Sequence, residues 1–187
     1  MVLQIQHSPS HLYASCERES ASKGFTLAEA LVMILVIGIL AALVAPSFLS
    51  WARNKEVDEA LVEVVGALTE ARNEALRVNQ SCTVEVDSVN RVVHATTSSA
   101  QNCLPTGRRD LKTISTAIEV RVDFNGLTQL TFSPKQTTTQ SGLIVLSQSD
   151  ASKRRCVVVS KGLGLIRAGF YTANSGPLDV SECRPNS

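Results

Sequence analysis

Twenty consecutive residues without a charge, Ala30 to Leu49 (ALVMILVIGILAALVAPSFL), constrain this chain more than any other feature. As a helix the run covers about 30 Å, the hydrocarbon thickness of a bilayer, and it reads as a single transmembrane span. The apolar part of a secretory signal is only about 7 to 15 residues and sits close behind a basic N-terminus; this run is longer and starts later. A buried helix of a soluble domain would need a partner surface on every face. The remaining composition, 44% hydrophobic and 19% charged in 187 residues, is that of a folded chain and not of a disordered polyelectrolyte. Eighteen basic residues against seventeen acidic leave a net charge of +1, so no global field draws the chain onto nucleic acid or anionic lipid. With 4% aromatics there is little material for a base-stacking platform.

The flanks of the run carry chemistry. Met1 to Gly24 is polar, with Pro9, Cys16, Glu17, Arg18, Glu19 and Lys23 and no hydrophobic period, and reads as a removable leader. Arg18 and Lys23 on one side balance Arg53 and Lys55 on the other, so charge does not set the orientation. Glu29 stands at the edge of the run; a carboxylate carried to the bilayer centre costs about 2.5 to 3.5 kcal/mol and so needs a partner or a function. A neighbouring chain's cationic N-terminus would satisfy it, and so would a snorkelling position as an acid in the first helical turn. Pro46 removes a backbone donor late in the run and predicts a kink.

Beyond the run, Val57, Leu61, Val64, Val65, Leu68, Ala71, Ala75 and Leu76 recur at spacings of three and four, the signature of an amphipathic helix with one buried stripe. Its charged residues read as a solvated face and Asn79 as its stop. From Cys82 onward short runs rich in Val, Ile and Thr predict strands: Cys82 to Asp87, Arg91 to Thr96, Ile118 to Asp123, Gln129 to Ser133, Leu143 to Ser147, Cys156 to Ser160 and Leu163 to Arg167. Turn residues such as Asn125-Gly126 and Ser141-Gly142 separate them, while Thr97 to Thr113 and Lys135 to Gln140 read as loops. The expected fold class is α+β, a long N-terminal helix packed on an antiparallel β-sheet domain. Its parts are a leader (1–24), a hydrophobic helix (25–53), an amphipathic continuation (54–80) and a β-rich domain (81–187).

The junction Lys23-Gly24-Phe25-Thr26-Leu27-Ala28-Glu29, followed by the apolar run, resembles the class III leader of type IV prepilins and type II secretion pseudopilins. Leu68 to Gln80, and later Leu130-Thr131-Phe132-Ser133-Pro134 and Val157-Val158-Val159, are similar to the GspH/FimT subfamily of minor pilins and pseudopilins. The resemblance implies cleavage after Gly24 by a prepilin peptidase and N-methylation of Phe25. It places Glu29 at the fifth mature position, where it pairs with the amino group of the preceding subunit, and it includes a proline where Pro46 stands. It further implies a single-pass inner-membrane protein with its domain outside the cytoplasm, later a pilus or pseudopilus subunit whose partners are other major and minor pilins or pseudopilins. A role in the initiation or tip complex, supporting pilus biogenesis or protein secretion, follows from the same likeness. The class is non-enzymatic and needs no cofactor.

Outside the cytoplasm, where disulfides persist, the four cysteines Cys82, Cys103, Cys156 and Cys183 predict two bridges with three connectivities. Sequence order and loop placement favour Cys82 with Cys103 and Cys156 with Cys183. No Cys-x-x-Cys pair or nearby histidine supports zinc, so no metal site is expected. His94 alternates with apolar residues on a strand and is a poor general base, and Gly162-Leu163-Gly164 lacks both the third glycine and the helix of a dinucleotide loop. The alternative function is DNA uptake. Some FimT-like minor pilins take up DNA through a C-terminal Gly-Arg-x-Arg motif; the corresponding stretch here is Gly164-Leu165-Ile166-Arg167, which keeps only the second arginine. With Lys153, residues Arg154, Arg155, Lys161 and Arg167 are the candidates for a phosphate-binding face.

Overall fold

The computed structural model describes residues 24–96, 103–111, 118–149, 151–174 and 176–185, and backbone only for 44–46. The expected leader, with Cys16, lies outside the described residues apart from Gly24. Two compact units divide the chain, Met1–Ala42 and Leu43–Ser187.

Helix α1 is Leu27–Arg77. In the first unit its side chains are exposed throughout the described residues. Among those residues no single helix is long and apolar enough to cross a membrane; Leu27–Leu43 and Ser47–Arg77 meet the requirement of length and composition only when taken together. The break between the two stretches, 44–46, contains Pro46, which supplies no N–H to the helical ladder.

In the second unit α1 turns one stripe inward. Val57, Ala60, Leu61, Val64, Ala67, Leu68, Ala71 and Ala75 are buried, a period of three and four that the sequence pattern predicts. Leu76 departs from the expectation and stays 56% exposed, one position past the last inward turn. The helix stops by a Schellman arrangement: Asn79 is left-handed (φ 53°), its N–H meets the Leu76 carbonyl at 3.3 Å, and the Gln80 N–H meets the Ala75 carbonyl at 3.2 Å.

The strands are β1 Cys82–Asp87, β2 Val92–Ala95, β3 Arg109–Asp110, β4 Ile118–Asp123, β5 Gln129–Phe132, β6 Gly142–Gln148, β7 Arg155–Val159, β8 Ile166–Tyr171 and β9 Cys183–Pro185. They form two antiparallel sheets, β3-β2-β1-β5 and β4-β6-β7-β8-β9. Two expectations are corrected. The strand placed at Leu163 to Arg167 begins only at Ile166, because residues 160–165 form the turn after β7, with the Ser160 N–H on the Leu165 carbonyl at 2.9 Å. The loop expected from Thr97 to Thr113 contains β3, which adds Arg109 and Asp110 beside β2.

One large core joins the inward stripe of α1 to Val84, Val86, Phe124, Leu130, Phe132, Ile144, Leu146, Val157 and Val159. The interior strand β6 is buried on both faces, which explains its unbroken Leu143-Ile144-Val145-Leu146 run. Ile144 and Leu146 face the helix; Leu143 and Val145 join Cys156, Val158 and Tyr171 in a second, smaller core on the outer face, with Leu178 and Cys183 of the C-terminal segment packed against it. Disulfides Cys82–Cys103 and Cys156–Cys183 are both formed, with Cα separations of 5.3 and 5.9 Å, the connectivity that sequence order favours.

Candidate functional site

The start of α1 is built by Thr26. Its backbone carbonyl accepts the Ala30 N–H at 3.1 Å and its Oγ1 accepts the Glu29 N–H at 3.2 Å, which makes Thr26 the N-cap and Glu29 the third helical residue. The Glu29 side chain is exposed and has no partner among the described residues. Around and beyond it the large apolar side chains among the described residues are open: Phe25 is 71%, Leu31 59%, Leu43 72% and Trp51 56% exposed. The apolar side chains exposed along α1 within the first unit alone, from Leu27 to Leu40, require a second apolar phase or other helices to cover them.

In the domain, Arg109 fastens the Cys103–Asp110 region to α1. Its guanidinium lies 3.3 Å from Glu63 Oε2 and 3.2 Å from Glu70 Oε2, and donates to Thr106 Oγ1 at 2.7 Å. The Thr106 N–H donates to Glu70 Oε1 at 2.9 Å and its hydroxyl donates to Glu70 Oε2. Burial pushes the Glu70 carboxyl up, but the bonds from Thr106 and Arg109 outweigh it and hold the group below 4.5. On the other side of the helix, Arg72 reaches the Gln136 and Leu163 carbonyls, both at 3.4 Å.

The basic candidates do not all share a face. Arg155 Nε donates to Asp58 Oδ1 at 2.5 Å and its guanidinium lies 3.8 Å from the centre of the Phe170 ring. It therefore points to the helix side of its sheet. Arg167 is paired across the ladder with Val158, three residues along β7 from Arg155, and so leaves from the opposite, outer face. Lys161 is exposed in the turn after β7, and Arg154 donates to the Ala173 carbonyl at 2.5 Å and to Asn174 Oδ1 at 2.9 Å.

The remaining sequence candidates are placed plainly. His94 Nε2 is 3.9 Å from Glu85 Oε2 on the four-stranded sheet. Gly162 (φ +83°) occupies a turn that leads into β8, not into a helix. All four cysteines of the domain are spent in disulfides, and among the described residues no cluster of His, Cys, Asp and Glu could hold a metal. The sequence reading missed a polar cleft of about 350 Å³ on the outer face of the five-stranded sheet, lined by Glu119, Arg121, Ser147, Arg154, Tyr171 and Asn174 among others.

Comparison with known proteins gives two findings. The family described as Type II transport protein GspH matches residues 60–163, from the buried stripe of α1 to the turn after β7. The fold is similar to the crystal structure of the type IV minor pilin FimU of Pseudomonas aeruginosa strain PAO1, with a TM-score of 0.50 at 16% identity, over 68% of this chain and 96% of that one. No curated protein matches the chain at a significant level.

Proposed function

Since the chain belongs to the GspH family, we propose that it acts as a minor pilin or pseudopilin in the initiation or tip complex of a type IV pilus or type II secretion pseudopilus. Family and fold are those of pilus or pseudopilus subunits; the finer role is our reading. The observation that carries it is the exposed apolar surface of the first unit, from Phe25 to Leu40, with Glu29 at its head unpartnered among the described residues. Lipid covers that surface before assembly and neighbouring helices cover it afterwards. A prepilin peptidase hydrolyses the Gly24–Phe25 bond, and the amino group freed on Phe25 is methylated and remains cationic. Glu29 of an incoming subunit meets that cation on its predecessor, where the low-dielectric surroundings make the pair discriminating: one axial offset satisfies the carboxylate and the others leave it bare. Pro46, which cannot donate to the Ala42 carbonyl, lets the helix loosen or kink as it leaves the membrane. The domain, outside the inner membrane, supplies specificity toward other subunits.

Replacing Glu29 with Ala tests this. The variant should reach the membrane fraction at the normal level and disappear from sheared fibres. Unimpaired incorporation removes the assembly role. A DNA-uptake role needs one coherent basic face, and the opposite directions of Arg155 and Arg167 favour the subunit role over it.

A further inference from the structure

We propose that the outer-face cleft of the five-stranded sheet is a docking site for a single carboxylate, the acidic side chain of a neighbouring fibre subunit, received between Arg121 and Arg154. The ladder places Glu119 opposite Ser147 and Arg121 opposite Val145, and Val145 belongs to the outer core, so these four residues floor the cleft. Ala173, Asn174 and Gly176 form its wall. Arg121 Nη2 donates to the Gly176 carbonyl at 2.6 Å, and Arg154 Nη1 donates to the Ala173 carbonyl and to Asn174 Oδ1. The wall is thereby tied to two guanidinium groups that line the same hollow.

Among the described residues these two arginines lack an acid partner. Both are half-buried, and among the described residues neither forms an ion pair, whereas Arg109 meets Glu63 and Glu70 and Arg155 meets Asp58. A partly desolvated guanidinium bonded only to neutral oxygens keeps an unmatched charge, and its planar fork offers further donors suited to a carboxylate. Glu119 limits what can enter. Two guanidinium groups and one carboxylate leave the described lining of the cleft at +1, which balances one acidic group and repels the next charge of a polyanion such as DNA. The volume admits a side chain and its backbone. A protein occupant rests on the pilus-subunit reading above, in which the domain meets other subunits.

The test is a titration of the detergent-solubilised full chain, following the side-chain Nε–H resonances of Arg121 and Arg154 by NMR. The probes are a capped Gly-Asp-Gly peptide, its Gly-Asn-Gly twin, inorganic phosphate and a short DNA duplex. The aspartyl peptide should shift both resonances to saturation, with the asparaginyl twin weaker by about tenfold or more. Arg154→Gln should abolish the shift at Arg121. Because that change also loosens the wall, Glu119→Gln supplies a variant that leaves the arginines and their carbonyl bonds intact; it should tighten the aspartyl peptide by about threefold. The proposal is overturned by equal response to the two peptides, by no response, by an unchanged affinity in Glu119→Gln, or by phosphate or duplex saturating the arginines at lower concentration than the aspartyl peptide. Asp150, outside the described residues but adjacent in sequence, provides the last control: binding seen only in Asp150→Asn makes the chain's own acid the occupant and overturns the proposal. The titration uses the isolated chain, so its result stands whichever way the Glu29→Ala experiment falls.

Discussion

At Gly169 the backbone of β9 comes so close that an added Cβ would lie 2.0 Å from the Arg184 carbonyl oxygen. Gly169→Ala must therefore displace β9, and we expect a loss of about 1 to 3 kcal/mol, read as a lowered melting temperature, with the core around α1 retained. Glu70 sets a pH dependence. Its carboxyl sits below 4.5 in the folded chain and at about 4.5 when unfolded, so the stability it contributes is complete above that value and fades as pH falls through the folded one. Glu70→Gln should cost about 1 to 2 kcal/mol at neutral pH, and the gap between variant and wild-type melting temperatures should narrow as pH falls below 4.5. A gap that stays constant over that range would assign the stabilisation to packing instead of charge. The sequence shows Glu70 and Arg109 only as charged residues of a helix and a loop; 39 positions separate them, and it is the Cys82–Cys103 bridge and the short β3 that bring them together.

The elements themselves were legible where periodicity was long enough to be unambiguous. Alternation marks β1, whose burial runs strictly in and out, and a three-four spacing marks the inward stripe of α1. Strands β3 and β9, of two and three residues, are too short to carry a period, and they exist because β2 and β8 offer them an open edge. The start of β8 was obscured by Leu163 and Leu165, apolar residues that the turn leaves exposed. The cleft was hidden for a related reason: Arg121 sits in a polar phase of β4 and reads as an ordinary solvent-facing residue until the segment after β8 folds over it. That segment depends on the Cys156–Cys183 bridge, which spans 27 positions. Replacing both cysteines with Ser should cost about 3.5 kcal/mol by the chain-entropy argument and raise hydrogen exchange at Tyr171 and Val158 well before the helix-side core responds. Equal exchange in the two proteins would mean that packing alone holds the C-terminal segment.

On the scale of the whole molecule, chain order and sheet order are interleaved. Strand β5 follows β4 in sequence yet joins the other sheet beside β1, and the loop after it returns to the five-stranded sheet, where Thr138 and Gly162 exchange backbone hydrogen bonds of 3.2 and 2.8 Å. Neither sheet can be completed without strands from both sides of the crossing, and one core backs both. The described domain should therefore melt in a single cooperative step, with coincident far- and near-ultraviolet circular dichroism transitions; two separated transitions would show the sheets to be independent.

The crossing itself is the Asn125-Gly126 turn, both residues at positive φ (55° and 82°), clasped by the paired hydrogen bonds of Phe124 and Leu127. Both bridges close on their own side of it, Cys82–Cys103 before and Cys156–Cys183 after. A protease that nicks this exposed tip would thus leave two fragments, each internally cross-linked, clinging to one another only through ladders and shared core, and separating on a denaturing gel run without reductant.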